Sequence, residues 1–70
     1  MMLLLSNSYY LRLNDEALDL QQRIANLNAF ASGLGFLALD ASQKTVLLQR
    51  IHDMELELAV LNRRIDLLEG

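Results

Sequence analysis

The 70-residue chain has no cysteine, no proline and no tryptophan, and only one histidine. Without cysteine there is no disulfide and no thiolate zinc site. His52 cannot anchor a metal centre by itself, and neither a metal nor a cofactor is expected. Basic residues are also in short supply. Six Lys and Arg against nine Asp and Glu leave a net charge of −3, which argues against binding a nucleic-acid backbone and against an anionic membrane surface. The run Met1-Met2-Leu3-Leu4-Leu5 is far shorter than the ~20 apolar residues of a membrane span and lacks the basic flank of a signal peptide. It reads as an apolar tail over residues 1–7 that docks on a groove, with a weak membrane anchor as the competing reading. Cysteine-free composition fits a reducing cytosol.

Hydrophobic residues, by contrast, make up 53% of the chain. A single short domain has little interior in which to bury them. With disulfides and metals set aside, self-association is the expected source of extra stability, and the chain is expected to be a homo-oligomer.

The three glycines are Gly33, Gly35 and Gly70, two in the middle and one at the last position, as in a helical hairpin. No strict apolar/polar alternation suggests a strand. The expected fold is all-α: an antiparallel two-helix coiled-coil hairpin that assembles into a helical bundle. The first helix spans 8–32, with Ser6, Asn7 or Ser8 as N-cap and a second possible start at the acidic turn Asn14-Asp15-Glu16. An apolar hinge covers 33–40, where Phe36 and Leu39 are expected to fold back and plug the hairpin's end beside Phe30. The second helix spans 41–69 and opens on Asp40-Ala41-Ser42-Gln43, a capping box with Asp in place of Ser or Thr.

Leu13, Ala17, Leu20, Ile24, Leu27, Ala31 and Leu34 recur at spacings of four and three, as do Leu47, Ile51, Met54, Leu58, Leu61, Ile65 and Leu68. Each set is a coiled-coil seam. Charge can register the two. Placing Arg23 opposite Glu57 also sets Glu16 opposite Arg64, and layers Leu20 with Leu58, Ile24 with Met54 and Leu27 with Ile51. A slide of one heptad sets Arg23 against Arg50. The pairs could equally form between chains. Each is worth only about 0.2–1 kcal/mol, so charge selects the register more than it stabilises it.

Aliphatic residues also fall outside the seams: Leu11 and Leu18 on the first helix, Leu56, Val60 and Leu67 on the second. Contiguous apolar surface marks an interface, with a second copy or with another protein. Candidates for chemistry are sparse. His52 and Asp53 are neighbours on a helix and diverge by about 100°. There is no Glu-x-x-His pair of the kind that di-iron bundles need. Gly33-Leu34-Gly35 is not a phosphate loop, since it follows a helix and lacks the lysine. Tyr9, Tyr10 and Arg12 form the most ligand-like cluster, because tyrosine can stack on a base and arginine can hold a phosphate. Arg63 and Arg64 join them if the chain ends meet at the hairpin's open end. The competing reading makes the tyrosines interface or capping aromatics. No catalytic residue is proposed, and the chain is expected not to be an enzyme.

Tyr10, Glu16, Leu20, Arg23, Ile24, Leu27 and Phe30, followed by Phe36, Leu39, Gln43, Val46, Leu47, Ile51, Met54, Leu61, Arg64 and Ile65, form a pattern that resembles a family of small helical-hairpin proteins encoded by tailed bacteriophages. The Phe–hinge–Phe-x-x-Leu connection is its most specific part. Glu57 departs from the pattern, which often has an aromatic residue there, and Met1–Ser8 lie outside it. The architecture is similar to that of phage sponge hairpins that counter the CBASS and Thoeris immune systems, although no sponge motif transfers residue by residue. The resemblance implies a non-enzymatic accessory protein of the host cytoplasm. Such a protein would inhibit host defence by sequestering a nucleotide signal between protomers. The alternatives are capture of a host defence protein on the outer apolar face, or a structural coiled coil.

Overall fold

A computed structural model describes the backbone of residues 2–69 and the side chains of residues 8–69. Three helices follow one another: α1 over Met2–Ala31, a single turn α2 over Leu34–Leu37, and α3 over Ala41–Glu69. No strand occurs among the described residues. The long helices α1 and α3 pack side by side. The buried cluster joins Leu13, Ala17, Leu20 and Ile24 of α1 to Leu61 and Ile65 of α3, so the early part of α1 meets the late part of α3. The pair is therefore antiparallel, and the molecule is a helical hairpin 53 Å long and 15 Å across.

Helix α1 starts at Met2, not at Ser8. No glycine or proline interrupts residues 2–31, and Met and Leu are good helix formers. Ser6, Asn7 and Ser8 therefore lie within the helix rather than at its cap. The alternative start at Asn14 is also interior, where Asn14 Nδ2 donates to the Tyr10 carbonyl one turn back at 3.1 Å. The docking expected of the apolar tail concerns side chains 1–7, outside the described residues. At the other end, the Ser32 amide donates to the Asn28 carbonyl at 3.1 Å, and its hydroxyl donates to the same oxygen at 3.0 Å.

The start of α3 is as expected. Gln43 N–H donates to Asp40 Oδ1 at 2.7 Å, and Asp40 N–H donates to Gln43 Oε1 at 3.1 Å. This reciprocal pair satisfies two backbone donors that a helix start otherwise leaves open.

The hinge differs from a plain loop. Leu34–Leu37 close a helical turn, which puts Leu34 on the outside at 84% exposure instead of in the seam. Phe36 and Leu39 are half-buried, whereas Leu37 is exposed. Of the hinge's five apolar residues only Phe36 and Leu39 are thus partly covered, while Leu34, Leu37 and Ala38 face solvent. Lys44 Nζ sits 5.5 Å from the centre of the Phe36 ring, a cation–π distance.

The buried residues keep the heptad spacing, but the seam is not uniformly tight. Leu13, Ala17, Leu20, Ile24, Ile51, Leu61 and Ile65 are buried. Leu27, Ala31, Leu47, Met54 and Leu58 are half-buried, and Leu68 is exposed. Met54, which the expected register layers with Ile24, is only partly buried and packs against the cluster. Two helices alone cannot enclose a side chain on every side, and no described side chain is completely buried.

Candidate functional site: outer helix faces and inter-helix groove

On one flank of the seam α1 and α3 part to leave a groove. One stretch, about 350 Å³, has Glu16, Arg23, Arg50 and Glu57 on its walls over Leu20 and Met54. It continues toward the hinge into a second stretch of about 350 Å³, where Arg23 and Arg50 flank an apolar floor of Leu27, Leu47 and Met54. Glu16, Arg23, Arg50 and Glu57 therefore line one groove without Arg64, a lining that the register slid by one heptad also gives, and the expected cross-helix pairs do not form. Among the described residues the one ion pair is Arg23 Nε to Asp19 Oδ2, at 3.0 Å within α1. The expected Arg23–Glu57 and Glu16–Arg64 pairs are absent for a simple reason. A partner one turn away on the same helix is in reach without ordering a long side chain across a solvated groove.

Arg23 and Arg50 line both stretches, the juxtaposition expected of a one-heptad slide, and sequence reasoning did not name these two arginines as a candidate site. Its signal was present: both residues occupy the same flank of their heptads, on the side where the helices face each other. The groove has an apolar floor with carboxylates and arginines together at its rim. It holds no nucleophile next to a general base.

At the open end of the hairpin, Tyr10 is half-buried and packs against the cluster that contains Leu13, Leu61 and Ile65. The fold therefore does bring residues near 10 to residues near 65. Tyr10 is committed to the core edge, which leaves Tyr9, 46% exposed, as the tyrosine with a free face. Arg12, Arg63 and Arg64 are all exposed. His52 is exposed as well, and its neighbour Asp53 accepts a hydrogen bond from Gln49 Nε2 at 3.0 Å. The five aliphatics expected on outer faces, Leu11, Leu18, Leu56, Val60 and Leu67, are each more than half exposed.

No described helix is long and apolar enough to cross a membrane. No protein-family model matches the chain, and neither a curated protein nor a solved structure matches it. What the fold defines is a class, the two-helix hairpin with large aliphatic residues on its outer faces.

Proposed function

We propose that this chain is a non-enzymatic binding protein that works as a homo-oligomer. One observation carries the proposal: the hairpin leaves more large hydrophobic side chains exposed than it buries. Among the described residues seven hydrophobic residues are buried, against twelve large ones exposed. The chain exposes 5602 Å², whereas a compact monomer of 7.9 kDa exposes about 4,400 Å² by the usual scaling. The excess, about 1,200 Å², is of the order that one protein contributes to a stable interface. Exposed aliphatics on both long helices supply that surface. Sedimentation equilibrium between about 1 and 100 μM tests the reading against the affinity range of an ordinary stable interface. A mass of several chains is expected, and a single-chain mass throughout that range defeats it.

The finer reading rests on the resemblance to tailed-phage hairpin proteins. In that reading the oligomer is a phage accessory factor of the host cytoplasm that sequesters a nucleotide immune signal between protomers. Arginines would hold phosphate and Tyr9 would stack on a base, which agrees with the exposure of Tyr9, Arg12 and Arg63. A thermal-shift screen against cyclic dinucleotides and ADP-ribose derivatives tests it, because a ligand at 100 times its Kd stabilises by about 2.7 kcal/mol. No binder tighter than about 100 μM, roughly −5.5 kcal/mol, would leave capture of a host protein by the outer apolar faces, or a structural role, in its place.

A further inference from the structure

The outer face of α3 repeats the rhythm of the inner one. Gln49, Asp53, Leu56, Val60, Arg63 and Leu67 follow one another at spacings of four and three, and all are exposed. Val46, exposed, extends the series by one turn. This is a second heptad seam on the side of α3 turned away from α1. It carries aliphatics at its centre and one charge of each sign placed symmetrically about them.

We infer that this face pairs with the same face of a second copy, antiparallel, on a two-fold axis crossing between Leu56 and Val60. The inference rests on the self-association proposed above and adds its face, direction and register. In an antiparallel pair of seams the layers are read by reversing one chain. Leu56 then meets the partner's Val60, and Val60 meets the partner's Leu56. One layer further out Asp53 meets the partner's Arg63, and Arg63 meets the partner's Asp53. Next, Gln49 covers the partner's Leu67. Every contact occurs twice, as a two-fold interface requires. A parallel pairing would set Asp53 on Asp53 and Arg63 on Arg63. Sliding by one heptad would bury Asp53 against Leu56, or Arg63 against Val60. One direction and one register therefore match charge with charge and aliphatic with aliphatic, and mismatching them leaves an unpaired charge in an apolar layer, which is costly.

The flanks are secondary. On one of them His52 lies opposite the partner's Asp66. On the other, Glu57 would face the partner's Glu57, and Arg50 the partner's Arg64. That second flank borders the groove and stays in solvent, where like charges are screened, so the seam decides.

Charge reversal in the full chain tests this directly. Asp53→Arg alone or Arg63→Asp alone places like charges in both outer layers, and each should weaken self-association by about tenfold or more. The double variant Asp53→Arg/Arg63→Asp should restore it. A 1:1 mixture of the two single variants should form mixed-chain dimers more tightly than either variant pairs with itself, because each altered position then faces an opposite charge. Sedimentation equilibrium and native mass spectrometry read the result, and circular dichroism checks that the helices remain. Should a single variant lose helicity, the double variant decides: recovered assembly supports the seam, and lost assembly overturns it. A wild-type oligomer unaffected by either reversal, or a mixture no tighter than its components, overturns the seam while leaving self-association standing. A wild type monomeric at every concentration removes both.

Discussion

Gly33 and Gly35 sit two positions apart in one connection, yet the structure uses them differently. Neither has a positive φ, so neither is required for left-handed backbone. At Gly33 an added Cβ would lie 3.5 Å from the Phe30 carbonyl oxygen, an ordinary contact. Gly33→Ala should therefore stabilise by about 0.4–1 kcal/mol by restricting the unfolded chain. At Gly35 the same atom would lie 2.8 Å from Phe30 Cε2, so the ring must swing away. Gly35→Ala should lose the gain of about 0.5–1 kcal/mol that alanine normally brings inside a helix, and should recover it in a Phe30→Ala background. Chemical denaturation of the four variants measures this. A Gly35→Ala variant as stable as Gly33→Ala would show that the ring does not depend on the missing side chain. In the seam, Leu61 is buried at 7% exposure, and Leu61→Ala should cost about 2–5 kcal/mol. Met54 is half-buried at the groove, already loses part of its contact to solvent, and should cost about 1–2 kcal/mol on truncation. Equal losses at the two positions would contradict the off-centre core.

At the scale of elements, α1 and α3 begin and end by different means. Helix α3 has a reciprocal cap at Asp40 and Gln43. Asp40→Ala should cost about 0.5–2 kcal/mol, with early fraying of residues after 41 visible as faster amide exchange; unchanged exchange there would make the cap redundant. Electrostatic support lies within helices rather than between them. A double-mutant cycle on Asp19 and Arg23 should return a coupling of about 0.3–0.5 kcal/mol, typical of an exposed pair one turn apart. The cycle on Arg23 and Glu57 should return a smaller value. The reverse ranking would mean that the arginine crosses the groove in solution.

For the whole molecule, the shape sets the energetics. A rod 15 Å across has almost no interior, and its stability should therefore depend on neighbours. The midpoint of thermal unfolding should rise with protein concentration, as it does when association is linked to folding. A midpoint constant over a hundredfold dilution would mean that the hairpin stands alone.

The sequence by itself determined the helical class, the hairpin, the start of α3 and all seven of the residues found buried. Each of these is written in local signals: heptad spacing, the pair Gly33 and Gly35, and the Asp40–Gln43 box. It misplaced the start of α1, because Ser6–Ser8 can cap a helix or lie inside one, and nothing local forces a stop before Met2. It also placed Leu34 in the seam, since the spacing continues through a residue that the turn at Leu34–Leu37 rotates outward. Of the candidate site residues, the exposure of the outer aliphatics was legible, while the roles of the two tyrosines were not. Adjacent residues on a helix diverge by about 100°, and only the packing of α1 against α3 decided that Tyr10 is held at the core edge while Tyr9 faces solvent. Likewise only the packing of the two helices decided that Arg23 makes no pair across the groove with Glu57. Asp19, one turn away on α1, is in reach as soon as the helix forms, and a side chain takes the partner it can reach with the fewest torsions fixed.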